Sequence, residues 1–308
     1  MHPLTPRNRA QHTAPLAHGL LALLLLTCSL TAFAQAAEQV IHKAPSRFSD
    51  LLVVSEDANG LRSLRFEMHG ARQSVVKPGD PDHLELVYAR AIPAVFTWKP
   101  EPRRILVVGL GGGTIPMFMR KHLPDSDIDV VELDPAVVDV ARSHFGFRDD
   151  QRLKAHVGDG RHWIEHARAR YDLVVLDAFS AHDVPYALTT REFLIAVQQS
   201  LAADGVVIAN LWGRSANALY DSMVATYLSV FPALSVMDIA GSGNKLVLAS
   251  RSTAVPDLDE SSDRASRLNA RFRLRHDLAA MVRQGLRQAD REERAGNILT
   301  DAARPARP

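Results

Sequence analysis

The sequence predicts an α/β protein: a mostly parallel sheet with helices on both faces, preceded by a small antiparallel β unit. Three observations predict it. From residue 104 onward, short runs rich in Val, Ile and Leu alternate with segments whose apolar residues recur at helical spacing. The first of those runs, RILVVGL, ends in a turn with glycine at 109, 111, 112 and 113 and then takes on a helical pattern. Between residues 51 and 76 the pattern alternates instead, with turn signals at Asn59-Gly60 and Gly70. With 308 residues and 46% hydrophobic content, the chain can bury a large core.

Five stretches follow from the pattern. Residues 1–34 have the layout of a secretory signal peptide. Arg7 and Arg9 precede the apolar run LLALLLLTCSLTAFA, and small residues at Ala32 and Ala34 suit a signal peptidase. The run is short for a membrane span. The expectation is export, to the periplasm. The alternatives are a retained anchor, which would be the protein's only membrane contact, or a mis-called start ahead of a cytoplasmic enzyme. Cys28, the one cysteine, lies inside this run, so a cleaved chain has no disulfide, thiolate metal site or cysteine nucleophile.

Residues 35–50 read as a polar linker. Residues 51–100 read as the β unit (LLVVSED, NGLRSLRFEMHG, RQSVV) and a connecting helix over HLELVYARAIPAVFTW. Residues 101–252 carry the alternating units. Strands are expected at RILVVGL, DIDVVEL, RLKAHVG, YDLVVLDAF and GVVIANLW, and helices at about 114–122, 135–144, 160–168, 190–201 and 216–230. Two more strands, ALSVMDIA and KLVLAS, bring the sheet to about seven, the last antiparallel. Residues 253–308 read as a charged helical tail; its segment RLNARFRLRHDL suits a docking helix or dimer contact better than a membrane surface.

Charge excludes some partners. Lys and Arg number 36 against 35 Asp and Glu, so no basic excess points to nucleic acid. His69, His122, His144, His156 and His166 lack metal-ligand spacing, and no metal is expected. His162 and Trp163 read as packing or surface residues, and Arg161 and Arg191 as solvated. No G-x-S-x-G occurs, so a hydrolase triad is not indicated.

The candidate site lies at the carboxyl ends of the strands. Glycine at 109, 111 and 113 lets backbone amides approach a ligand at a helix N-terminus. A dinucleotide fingerprint wants glycine at its sixth position, and here that residue is Thr114, which favours the shorter turn of S-adenosyl ligands. Glu132 ends the second strand, where a carboxylate accepts ribose hydroxyls. Asp134 before Pro135 suits a helix cap. Asp159, beside Gly160, suits two roles equally, a bond to an adenine amino group or a helix cap. Asp177 ends the fourth strand and faces the crevice where open α/β sheets bind ligands.

Taken together, HGARQS, YAR, GLGGG, VVELDPAVVDVARSHF, GDGRHW, YDLVVLDAF and TTREFL resemble the spermidine/spermine synthases, the polyamine aminopropyltransferases, over about residues 50–250. ILTD near Leu299 is similar to a C-terminal stretch of spermidine-synthase-like proteins fused to membrane domains. The resemblance implies a seven-stranded S-adenosylmethionine-methyltransferase-like Rossmann fold with a small N-terminal antiparallel β domain, usually as a homodimer. It implies no prosthetic group. Decarboxylated S-adenosylmethionine would be the co-substrate, and putrescine or a related small amine the acceptor. By that carry-over Glu132 holds the ribose and Asp159 lies near the adenine. Asp177 is the acid/base, and Gln73 and Tyr88 line the amine site.

Three positions depart from the family pattern. Gly112 stands where an aspartate binds the donor's amine, Ser180 stands at a substrate position where a second acid is usual, and a tyrosine expected near Ala240 is missing. An uncharged residue at 112 repels the carboxylate of ordinary S-adenosylmethionine less. The competing expectations are therefore an S-adenosylmethionine-dependent methyltransferase and an exported polyamine- or nucleoside-binding protein without catalysis.

Overall fold

The computed structural model describes residues 38–179 and 184–303. The signal-peptide reading, Cys28, Ser180 and the last five residues fall outside them. The N-terminal sheet has four strands: β1 (Gln39–Ala44), β2 (Leu52–Glu56), β3 (Arg62–Arg65) and β4 (Ser74–Val76). They pair antiparallel in chain order. At the β2–β3 turn the Asp57 carboxylate accepts the N–H groups of Asn59 and Leu61, and Gly60 takes φ 73°. That is the conformation the Asn-Gly pair predicts.

The segment read as a polar linker is not one. Val40 to Ala44 pair with β2, and Ser46 donates from its hydroxyl to the Asp134 carboxylate. The alternation of VIHKA is too short and too polar to register against a linker composition. Its pairing partner, β2, is what makes it a strand.

The connecting helix is also shorter than its pattern. Only α1 (Val87–Ala91) is α-helical, and Ile92–Thr97 continue as a 3-10 helix. Pro93 has no N–H and crowds the carbonyl four residues back, so the α-helix does not run through it. Ile92 to Thr97 are all buried.

The large sheet is built from β5 (Arg104–Val108), β6 (Asp127–Glu132), β7 (Leu153–Val157), β8 (Tyr171–Leu176), β9 (Leu201–Trp212), β10 (Ala233–Asp238), β11 (Asn244–Ser250) and β12 (Leu286–Arg287). Their order is β12-β10-β11-β9-β8-β5-β6-β7. The run from β7 to β9 is parallel; β11 lies antiparallel between β9 and β10. The helices are α2 (Thr114–His122), α3 (Pro135–His144), α4 (Gly160–Glu165), α5 (Arg191–Ser200), α6 (Tyr220–Leu228), α7 (Leu258–Phe272), α8 (Leu278–Gly285) and α9 (Arg291–Ala295). The fold is α/β with a mixed sheet and an N-terminal antiparallel sheet, as expected.

The eighth strand, β12, is an addition. It is two residues long and covers the edge of β10. It belongs to the segment read as a helical tail, which is α7, α8, β12 and α9. The RLNARFRLRHDL stretch docks within the chain: Phe272 sits edge-on to Phe96 and Phe118. Central strands are apolar on both faces because helices cover both, and Ile105, Leu106 and Val107 have no exposed surface.

Helix starts carry side-chain caps where the sequence offers them. Asp134 Oδ1 accepts from Ala136 N, Thr190 Oγ1 from Phe193 N and Asp257 Oδ1 from Glu260 N. Asp290 and Glu293 form a full capping box at α9. Arg161 is not solvated. It binds both oxygens of Asp301 at 2.7 and 2.6 Å and Glu165 at 2.7 Å.

Candidate active site

Parallel β7, β6, β5 and β8 end on the same edge of the sheet, and a cavity opens there. Gly109 and the turn after β5 form its floor. The Gly113 N–H closes a turn onto the Leu110 carbonyl at 2.8 Å. A Cβ on Gly109 would lie 2.3 Å from the Asp177 carbonyl oxygen, and its φ is 99°. Glycine is thus required for β5 and β8 to end side by side.

Glu132 anchors this turn. Its Oε2 accepts the Leu110 N–H at 2.9 Å and its Oε1 the Asp134 N–H at 3.0 Å. Desolvation pushes its pKa upward, and the backbone amides oppose that rise. Glu132 also lines the cavity. Asp159 performs the capping role, since its Oδ1 accepts from Arg161 N (2.8 Å) and His162 N (3.1 Å). It also lines the cavity with Gly160.

Asp177 lines the same cavity, just after β8. Its Oδ1 accepts from Asn210 Nδ2 at 2.8 Å, and its Oδ2 accepts from the Tyr88 hydroxyl at 3.2 Å. Desolvation raises its pKa to about 7 despite these two donors. The Tyr88 hydroxyl is pushed well above its usual value by burial and by the neighbouring carboxylate, so it stays a donor. Asn210 is fixed in turn: its Oδ1 accepts from Asn244 Nδ2 at 2.9 Å. A carboxyl group poised near neutrality in a desolvated cleft can take and release a proton at physiological pH.

Of the residues singled out in the sequence, Gln73, Tyr88, Gly109, Gly111, Glu132, Asp159, Gly160 and Asp177 all border this cavity. Gly113 does not. It takes φ 81° at the start of α2, and a Cβ there would press on the Phe147 ring, away from the cavity. The sequence reading missed Asn210 and Ser74. Asn210 carried a signal, a lone amide in the apolar run GVVIANLW of a central strand. Ser74 carried none, because Thr114, which it meets at 3.3 Å, starts α2 40 positions further along the chain.

Gly112 is closed off sterically. A Cβ there would lie 2.9 Å from Val76 Cγ2 and 3.0 Å from both Phe145 Cδ1 and Ser74 Oγ. An aspartate could not occupy this position without moving its neighbours. Gly112 is buried behind the turn, and the Ser74 and Thr114 hydroxyls line the cavity near it.

Comparison with known proteins decides the family. Residues 85–223 match the profile of the spermine/spermidine synthase domain. A polyamine aminopropyltransferase of Vibrio vulnificus is 33% identical over 255 residues, covering 81% of this chain and 84% of the relative. The chain belongs to the spermidine/spermine synthase family. A probable spermidine synthase from Corynebacterium glutamicum, 20% identical, shares the fold with a TM-score of 0.68 over 87% of this chain and 98% of its own. The family fold reaches further. Human methyltransferase-like protein 13, solved in complex with SAH, is 33% identical with a TM-score of 0.53, over 61% of this chain and 89% of that one.

Proposed function

We propose that this spermidine/spermine synthase family member is an aminopropyltransferase that uses decarboxylated S-adenosylmethionine and a small amine. The observation that carries the reading is Asp177, a desolvated carboxyl with pKa about 7 between two oriented donors, beside the glycine turn and Glu132. An ammonium cannot attack carbon. A carboxylate next to the incoming amine takes its proton and aims its lone pair. The thioether leaving group is neutral and needs no acid. Glu132 holds the ribose hydroxyls, Asp159 Oδ2 meets the base, and Gln73 and Tyr88 orient the amine. The protein works as an exported homodimer without a prosthetic group.

A second reading, methyl transfer from S-adenosylmethionine, is favoured by one observation: the cavity wall beside the glycine turn is formed by the uncharged Ser74 and Thr114. A donor keeping its carboxylate meets no anion there. One assay separates them. The purified protein is supplied with each donor and a panel of amines, and nucleoside products are resolved by chromatography. Methylthioadenosine from the decarboxylated donor supports aminopropyl transfer. S-adenosylhomocysteine from the intact donor, without methylthioadenosine, replaces it with methyl transfer. N-terminal sequencing of the protein from its host tests export: a start at residue 35 is expected, and an intact Met1 overturns it.

A further inference from the structure

A chain of polar side chains leads away from Asp177 across the sheet. Asn210 on β9 lies beside Asp177, because Ala209 pairs with Leu176 of β8. Leu246 of β11 is the ladder partner of Asn210, and Asn244, two positions before it, shares its face of the sheet. Ser242 sits in the turn between β10 and β11, which its own N–H closes onto the Ile239 carbonyl at 3.1 Å. Building on the reading of Asp177 as the base, we propose that Ser242 and Asn244 are positioning residues for it: they form a one-way hydrogen-bond chain that keeps the Asn210 amide turned with its NH2 toward the carboxylate.

All the links run in one direction. The Asn244 backbone N–H, which can only donate, gives its hydrogen to Ser242 Oγ at 3.1 Å. The Ser242 hydroxyl gives its own hydrogen to Asn244 Oδ1 at 2.9 Å. Asn244 Nδ2 is then turned toward β9 and donates to Asn210 Oδ1 at 2.9 Å. Asn210 Nδ2 in turn donates to Asp177 Oδ1 at 2.8 Å. The chain starts at a backbone donor and ends at a carboxylate. Each bond polarises the next, so the last donor is stronger than a lone amide would be.

An amide has two ends of nearly equal shape and opposite polarity. Turned over, Asn210 would set its carbonyl oxygen against the Asp177 carboxylate. Asn244 decides between the two, because its NH2 satisfies the Asn210 carbonyl and cannot satisfy the Asn210 NH2. The Ser242 hydroxyl holds Asn244 in the same way. Asn210 is only 3% exposed, so a lost partner is not readily replaced by water. The Tyr88 hydroxyl reaches the other Asp177 oxygen from α1, apart from this chain. Among the described residues, Tyr88, Glu132 and Asp159 are the other titratable side chains on the Asp177 cavity, and Arg72 borders the adjoining one. None of them belongs to the chain, so cutting it leaves their charges in place.

The consequence is specific. Cutting the chain at Asn244 or Ser242 weakens the Asn210 bond to the ionised carboxylate while Asn210 itself stays. Asp177 then keeps its proton to a higher pH. The effect travels only through Asn210, so without Asn210 a change at Asn244 has nothing to act on. A merely structural role in the turn would lower stability and leave the Asp177 titration where it is.

The test reads the titration midpoint of Asp177 from its carboxyl carbon NMR resonance in the unliganded protein, the resonance being identified by its loss in Asp177→Asn. Asn244→Ala is expected to raise the midpoint by about one unit and Ser242→Ala by about half a unit, within what one charge-assisted hydrogen bond supplies. Ser242→Thr, which keeps the hydroxyl, is expected to hold the parent's midpoint. In an Asn210→Leu background, Asn244→Ala is expected to add no shift. A midpoint unmoved by both alanine variants, or an equal Asn244→Ala shift with Asn210 absent, overturns the proposal. Release of methylthioadenosine from the decarboxylated donor is measured separately. A midpoint that moves as expected in a protein whose parent releases none keeps the positioning and overturns the reaction.

Discussion

Asn210 donates to Asp177 across 2.8 Å, from β9 to the end of neighbouring β8. This bond and the Tyr88 bond both favour the ionised carboxylate, so they hold the Asp177 pKa below the value that desolvation alone would give. Removing the Asn210 donor therefore moves the pKa upward. Asn210→Leu is expected to shift the rising limb of the kcat–pH profile from near 7 toward higher pH and to lower kcat at pH 7 about tenfold. A profile whose midpoint stays near 7 would show that Asn210 does not tune the base.

Asp177→Asn keeps the shape and removes proton uptake. Turnover is expected to fall about 10²- to 10⁴-fold, the usual span for a general base. Methylthioadenosine affinity should change less than about threefold, because Glu132 and the glycine turn are untouched. Turnover and calorimetric titration on the same preparation check the pair, and retained turnover would remove Asp177 from the chemistry.

The same substitution has a pH-dependent effect on stability. Asp177 titrates at about 7 in the folded chain against an ordinary 3.8. The native state binds its proton more tightly, so stability falls as pH rises from about 4 through 7. The full difference amounts to about 4 kcal/mol by the usual conversion. Asp177→Asn removes that loss. Its melting temperature is expected to exceed the parent's at pH 8 and to converge with it near pH 4. Scanning calorimetry at both pH values measures this, and a gap that is the same at both would count against a buried titrating carboxyl.

Gly112→Ala places a methyl group 2.9 Å from Val76 and 3.0 Å from Phe145. Overpacking of this kind costs about 1–3 kcal/mol. Adding Val76→Ala should recover part of the loss, since Val76 makes the closest contact. Urea denaturation of the two variants tests the coupling, and strictly additive losses would show that the crowding is relieved elsewhere.

Glu293 is buried with its side chain fully covered, paired with Arg287 at 2.8 Å and accepting from Tyr220 Oη at 2.6 Å. Arg287 also binds Asp238 on β10, so the network ties α9 to the sheet edge. Breaking one partner of a buried pair costs about 3–5 kcal/mol. Glu293→Ala should lose about 3 kcal/mol in chemical denaturation, the low end of that span, because Arg287 keeps Asp238. A loss under 1 kcal/mol would mean that the pair contributes little.

Parts of this molecule were legible in sequence because they obey local rules. Gly109, Glu132, Asp159 and Asp177 each end a strand of an alternating β/α run, and such runs place their carboxyl ends on one edge. Asp134 before Pro135 could be read as a cap for the same reason. What was not legible depends on partners distant in the chain. β1 is a strand only because β2 pairs with it, and β12 is too short to show any period. Arg161 looked solvated because Asp301, 140 positions away, is invisible to any local window. The closed corner at Gly112 needs Val76 and Phe145 brought in from two other elements.

The wall formed by Pro185, Ala187 and Leu188 is held from a great distance along the chain. The Tyr186 hydroxyl donates to the Thr300 carbonyl, the Arg191 N–H to the Leu299 carbonyl, and Arg161 grips Asp301. Contacts of such high sequence separation raise the contact order of the chain. The wall of the cleft is thus fastened by a C-terminal segment more than a hundred residues away, and hydrogen exchange should find the amides of Arg191 and Leu299 less protected than those of β5.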